Sequence, residues 1–247
     1  MTDTPRADDW AALAATLSGT LHLAVAPVTI TFCAERPTAP PAYDGPMSPP
    51  TPDGRCGRVP AGCVFWVKAL EGPFTTAPED HGNCSVGRYT HGLTTLEEAA
   101  SHSDVAALLE AGWVDEAAMA AVPSVAEAPA AITYGPLADA TEVPDVVLLR
   151  VNGRQLMVLS DAVAGLRIEG KPQCHIVALA KEHGEVAASV GCALSRARTG
   201  MGPEEMTVAI PGGRLADVVD AVVSTAATDT VVAKYAAEDA RRFAAGG

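Results

Sequence analysis

The chain has 247 residues, 48% of them hydrophobic and 4% aromatic, which is ample for a sizeable core in one large domain or two intimately packed halves. With 30 acidic against 17 basic residues the formal net charge is -13, a field that repels phosphate backbones and anionic lipid head groups and so argues against nucleic-acid and membrane partners. Residues 1–9 lack a basic region followed by an apolar stretch, and no run approaches the ~18 apolar residues of a membrane span, so a soluble, cytoplasmic protein is expected.

In chain order, residues 8–17 read as a short amphipathic helix and 21–33 as a strand rich in valine, isoleucine and threonine. From 37 to 60, repeated prolines and an Asp-Gly step block regular structure, leaving either a disordered insert or an ordered flap over a site. Cys63-Val64-Phe65-Trp66-Val67-Lys68-Ala69-Leu70 is apolar on nearly every side, as a buried helix should be, and Gly72 closes it. Phe74-Thr75-Thr76 is a short extended piece. Helices follow at 96–111 and 115–121, and 126–131 is an alanine- and proline-rich linker. Beyond it, 147–151 reads as a buried strand, 155–163 as a helix, and 174–182 as a helix started by Pro172. A strand at 185–190 runs into Cys192. Residues 206–210 form a further strand, Pro211-Gly212-Gly213 is a turn, and helices at 215–225 and 230–243 finish the chain. The alternation predicts a mixed α/β (α+β) fold: an N-terminal helix at 1–20, then a single domain at 21–247 made of two halves, about 21–125 and 130–247.

The halves are suggested by a block that occurs twice, Cys84-Ser85-Val86-Gly87-Arg88-Tyr89-Thr90-His91-Gly92-Leu93 and Cys192-Ala193-Leu194-Ser195-Arg196-Ala197-Arg198-Thr199-Gly200-Met201. Both read Cys-x-x-small-Arg-x-x-x-Gly-apolar. Each is preceded by another cysteine, Cys63 or Cys174, that opens an apolar helical segment shortly after Pro60 or Pro172. Halves packed about a pseudo-twofold axis would bring these four thiols to one central, sulfur-rich site.

A cysteine in the first turn of a helix meets unpaired amides and the positive dipole end, which favour thiolate, and Cys63 and Cys174 are so placed. Arg88 and Arg196, four residues after Cys84 and Cys192, add positive charge and suit an anionic substrate. Six cysteines in a chain this long are too sparse for a secreted disulfide scaffold. Four convergent thiolates suit a transition metal (iron or zinc) or an iron–sulfur cluster. No short Cys-x-x-Cys loop is present, so such a site must be assembled by tertiary structure. Catalytic or redox thiols without metal, and buried structural cysteines, remain open as alternatives.

His81, paired with Asp80 and three residues before Cys84, is a candidate metal ligand or general base whose tautomer the carboxylate would fix; a loop-capping network is the plainer alternative. His91 follows Cys84 by seven residues, and Tyr89 is a candidate proton donor or a buried tyrosine with a satisfied hydroxyl. His175 reads as packing or surface, and His22, His102 and His183 have no constellation. Cys33 and Cys56 fall outside the duplicated pattern, and Trp66 reads as core.

At Cys63-Val-Phe-Trp, Phe74-Thr75-Thr76, Asp80-His81-Gly82-Asn83-Cys84, Gly87, Tyr89-Thr90-His91-Gly92 and Ser189-Val190-Gly191-Cys192, the sequence resembles domain of unknown function 169, the uncharacterised ArCR family, over roughly residues 21–242. The resemblance implies no particular reaction. The chain departs from the family pattern at Ser85, where proline is common, and in lacking a glycine within 193–195.

Phosphate-loop, dinucleotide, nucleophile-elbow and His-Glu-x-x-His signatures are absent. Glu97-Glu98 and Glu204-Glu205 are expected at helix starts. The sequence therefore predicts a small-molecule metabolic enzyme, a lyase or oxidoreductase, built around Cys63, Cys84, Cys174 and Cys192. A non-catalytic protein that binds or delivers a metal or metallocofactor, and a metal-free Cys/His thiol enzyme, are the alternatives. Its expected partners are a small-molecule substrate and, in a homodimer, a second copy of the chain.

Overall fold

A computed structural model describes residues 7–45, 62–82 and 84–245. Cys56 and most of the expected 37–60 flap lie outside the described residues. Ten helices and seven strands alternate along the described chain, a mixed α/β fold. The strands are β1 (Val28–Cys33), β2 (Phe74–Thr76), β3 (Ala131–Pro136), β4 (Val146–Val151), β5 (Arg167–Glu169), β6 (Ala187–Ser189) and β7 (Met206–Pro211). They form one sheet in the order β2-β3-β1-β4-β7-β6-β5, antiparallel throughout except for the β5–β6 pair.

The side-chain pattern explains how this sheet is covered. Along β1, Val28 and Ile30 face the core while Thr29 and Thr31 face the other way, the alternation expected of a strand packed on one side. Strand β4 is apolar at nearly every position, because Val147, Leu149 and Val151 pack into one core and Val146 and Leu148 into another. The first core lies beneath helices α1 (Ala7–Leu21), α7 (Gly153–Ala162) and α10 (Leu215–Ala245). The second lies beneath α2 (Cys63–Lys68) and α8 (His175–His183), where Phe65, Ile176 and Val177 are fully buried. Each such side chain contributes about 1.5–3 kcal/mol relative to exposure. A smaller cluster of Val86, Val105 and Met119 joins α3 (Ser85–Thr90), α5 (Ser103–Glu110) and α6 (Glu116–Ala120), with α4 (Leu96–Ser101) beside them.

Outward from the β1–β4 seam, the strand order is β3 then β2 on one side and β7 then β6 on the other. Registers correspond as well: Val28 stands opposite Pro136 as Val146 stands opposite Pro211, and Phe74 opposite Tyr134 as Ala187 opposite Ala209. A 3-10 turn follows both β3 and β7, at Leu137–Asp139 and Gly212–Arg214.

Several elements differ from the sequence expectation. The segments after Cys84 and Cys192 are helices, α3 and α9 (Ala193–Thr199), where loops were expected. Residues 131–136, for which no element was expected, form β3, hydrogen-bonded between β1 and β2. The expected 96–111 helix breaks at His102, which is extended, and the two expected C-terminal helices are one, α10. Glu97 and Glu98 do open α4, but Glu204 and Glu205 sit in a turn before β7. There Glu205 accepts from Arg150 Nη2 at 2.5 Å and from the Gly202 amide at 2.6 Å. Among the described residues no helix is long and apolar enough to cross a membrane.

Candidate functional site

Each of the four paired cysteines sits at the start of a helix. Cys63 is the first residue of α2, while Cys84, Cys174 and Cys192 are the N-caps of α3, α8 and α9. Cys192 uses its sulfur as the cap, Sγ accepting from the Ser195 amide at 3.3 Å. The start of α3 is tied from outside: Asp104 accepts from the Ser85 amide at 3.0 Å and from its hydroxyl at 2.8 Å. Because the α2–α8 layer lies over one sheet, these helix starts meet, and all four cysteines line one cavity of about 40 Å³. Gln173, Ser195, Arg198 and Trp113 complete much of its wall. A second, apolar cavity of about 30 Å³ adjoins it, sharing Cys63 and Gln173.

Electrostatics in the cavity favour thiols in the absence of metal. Burial pushes the Cys63 thiol up to about 11, the Cys84 sulfur adds to this, and Arg198 and a hydrogen bond with Ser195 oppose it. Cys174 is raised well above the ordinary range by burial and by Cys84, with a Thr90 hydrogen bond opposing. The thiolate expected at a helix start is therefore outweighed by desolvation at both positions. Arg198 loses from burial but gains more from Cys84, to which it is hydrogen-bonded, and from Cys63 and Cys192, so its charge is held firmly in place. Among the described residues, no group of three or more His, Cys, Asp or Glu side chains is arranged to hold a metal ion. The sulfurs line the cavity wall without meeting at a point.

Behind α2 lies a buried aromatic layer containing both candidate histidines. His81 Nε2 lies 2.9 Å from Thr76 Oγ1, whose hydroxyl donates to the Ile132 carbonyl at 3.0 Å. Thr76 therefore accepts from His81, so the proton is on Nε2 and Nδ1 is bare. His91 Nδ1 donates to the Gly87 carbonyl at 2.8 Å, leaving Nε2 bare. Neither bare nitrogen has a hydrogen-bond partner among the described residues. Burial holds both imidazoles neutral, His81 well below its ordinary value and His91 at about 4. The rings are 6.1 Å apart, and His81 packs 4.8 Å from Phe65. His91 also closes over the start of α2: a methyl group at Gly62 would come within 2.7 Å of its Cε1.

The sequence pattern of DUF169, the uncharacterised ArCR family, matches residues 16–221. The chain belongs to the DUF169 family. No curated protein and no solved structure matches it.

In this DUF169 protein the expected site residues separate into three groups. Cys63, Cys84, Cys174 and Cys192 come together. His81 and His91 are neighbours of each other but do not line the thiol cavity. Asp80 caps a 3-10 turn by accepting from the Ala77 amide at 2.9 Å, and the expected carboxylate contact to His81 is replaced by Thr76, because the turn aims the ring at β2. Tyr89 donates to the Val122 carbonyl at 3.1 Å, the satisfied-hydroxyl alternative.

The arginines are redistributed. Arg196 is occupied by backbone, donating to the carbonyls of Val190 at 2.7 Å, Glu205 at 2.8 Å and Gly202. Arg88 reaches the Leu93 carbonyl at 3.4 Å and faces His81, whose pKa its charge helps to lower. Arg198 is the cavity cation that the sequence reasoning missed. Its signal was available: once 193–199 is helical, Ser195 and Arg198 are three apart and share a face, while Arg196 turns away. Gln173 was missed too. Its Nε2 donates to Thr207 Oγ1 at 2.6 Å, and its Oε1 is buried without a hydrogen-bond partner among the described residues.

Proposed function

We propose that this DUF169 protein is an enzyme of small-molecule metabolism whose reactive centre is the thiol cavity, in which some of Cys63, Cys84, Cys174 and Cys192 hold iron, zinc or an iron–sulfur cluster. The observation that carries this reading is that four thiols from two distant stretches of chain line one cavity. Soft sulfur donors select such centres. A metal would replace the thiol protons that burial otherwise retains at Cys63 and Cys174, drawing the sulfurs inward from the wall. Arg198 suits the net negative charge of a thiolate-ligated metal, and it takes over the anionic-substrate role first expected of Arg88 and Arg196. His81 would serve as acid or base only through an intervening group, since it lies outside the cavity wall.

The matching strand orders and registers support a further part of the reading, that the chain is an old duplication with a pseudo-twofold axis at the β1–β4 seam. Cys63 and Cys174, and Cys84 and Cys192, are then equivalent pairs. Free thiols at every described cysteine fit a reducing, cytoplasmic location.

A second reading has its own support. The lack of a ready ligand group among the described residues suits a metal-free thiol enzyme, with Cys84 beside Arg198 as its reactive pair. Elemental analysis and an ultraviolet-visible spectrum on protein purified without oxygen separate the two. Stoichiometric metal, lost in Cys84→Ala and Cys192→Ala, is the expected result. Metal-free protein that still takes no iron or zinc on anaerobic reconstitution, with its thiols open to alkylation, overturns the metal reading in favour of the second.

A further inference from the structure

Helix α10 begins as part of the body and ends outside it. Val218, Val219 and Val222 are buried against the α1–α7 core, Ala226 is the last apolar residue of the helix packed there, and Asp229 and Thr230 still border a cleft with the end of α1 and the start of α7. Beyond Ala226 the helix continues to residue 245, about 30 Å at 1.5 Å per residue. Over this stretch Val231, Val232, Tyr235 and Phe243 are 66%, 56%, 67% and 78% exposed. At 3.6 residues per turn these four, with Ala236, fall within a sector of roughly 140°, while Ala233, Lys234, Ala237 and Arg241 occupy the opposite side. A large one-sided apolar face on a projecting helix needs a cover.

We propose that this face docks on the same face of a second copy of the chain, with the two helices antiparallel. Charge decides the occupant. From residue 226 to 245 Asp229, Glu238 and Asp239 balance Lys234, Arg241 and Arg242, whereas the chain as a whole carries -13. A neutral segment has no attraction for anionic lipid or nucleic acid, and on so acidic a protein it is where two copies approach with little repulsion. The terminal charges of the segment are of opposite sign, Asp229 opening it and Arg241 and Arg242 closing it, with Lys234, Glu238 and Asp239 between. Antiparallel pairing sets unlike ends together and opposes the helix dipoles, whereas parallel pairing sets like against like.

The exposed face offers on the order of 500 Å² per copy, since aromatic side chains bury ~150–250 Å² each. That is below the ~800 Å² per partner of a stable interface, so the dimer dissociates on dilution. Asp239 and Arg242 both fall within the apolar sector and are the charges the seam must accommodate.

Sedimentation of the full chain from about 1 to about 100 µM tests the proposal. A concentration-dependent monomer–dimer equilibrium is expected, abolished by Tyr235→Glu with the circular dichroism spectrum unchanged. Asp239→Leu should shift the midpoint to at least about tenfold lower concentration, by removing a buried charge from the seam. A wild-type protein that stays monomeric throughout, or a dimer indifferent to Tyr235→Glu, overturns the proposal. Binding of monomeric protein to vesicles of phosphatidylcholine and phosphatidylserine, lost in Tyr235→Glu, assigns the face to a membrane instead.

Discussion

The two cysteine-bearing segments contribute equal numbers of thiols to the cavity but unequal surroundings. Immediately before the first cysteine stands Gly62 in one and Gln173 in the other; three residues after the second stands Gly87 or Ser195; six after it, Thr90 or Arg198. The amide, hydroxyl and cation that line the cavity at these positions, Gln173, Ser195 and Arg198, are thus all on the second side. The first side has Gly62 and Gly87 at two of these positions, brings one carboxylate to the wall, Asp104, which accepts from Ser85, and places its histidines behind α2 in the buried His81–His91 layer. Sulfur positions match while their neighbours differ, so the cavity has its cation on one side only although its thiols are paired. That difference can be broken from either side.

The largest effect belongs to the first side. His91 titrates near 4 in the folded protein against an ordinary 6.5. On acidification the unfolded chain therefore takes up its proton first, so stability is full above about pH 6.5 and falls as pH drops through the window down to about 4. The loss approaches ~3 kcal/mol for His91 alone, with His81 adding in the same direction. Urea unfolding at several pH values should show this decline, and His91→Gln should flatten it. An unchanged slope in that variant would place the acid sensitivity elsewhere.

The next effect separates the matched arginines. Arg196→Met removes the side-chain donor of three backbone carbonyls, of which Gly202 keeps the Glu205 amide, and should cost about 2 kcal/mol, whereas Arg88→Met removes one long contact and should cost less than ~1 kcal/mol. Thermal unfolding of the two variants side by side measures the gap; equal losses would mean that the two blocks are braced alike.

Strongly apolar elements were legible in the sequence because their pattern is unbroken: the α2 segment, the helix after Pro172, and strands β4 and β7 all stand close to where the pattern puts them. The short helices α3 and α9 were not, because Gly87, Thr90, Ser195 and Thr199 dilute any apolar period and both helices form against tertiary neighbours such as Asp104. Strand β3 was hidden by Gly135 and Pro136, which read as loop but close the strand beside Pro73. A Thr-rich stretch at 225–230 read as a break in α10, although nothing there prevents the helix from continuing. For the site, repetition in the sequence pointed to the four cysteines. It could not indicate which arginine faces them, since that depends on the helical phase of a segment read as loop. Nor could it show that Thr76 takes the histidine contact expected of Asp80.

The smallest effect on stability is the most informative about the cavity. Arg198→Thr gives the second side the residue found at the corresponding position of the first, Thr90, and removes the cation that works against burial at the Cys63 thiol. In metal-free protein the Cys63 thiolate fraction should fall, slowing its alkylation by iodoacetamide by a factor on the order of ten. Cys174 faces Thr90, and its raised pKa stems from burial and the neighbouring sulfurs, so it should alkylate slowly in both proteins and change little between them. Peptide-resolved mass spectrometry over a time course reads both thiols in one sample. Selective slowing of Cys63 would tie the cationic side of the cavity to thiol reactivity. Equal slowing of Cys63 and Cys174 would mean that the substitution only tightens or collapses the cavity, and the asymmetry between its two sides would then be structural.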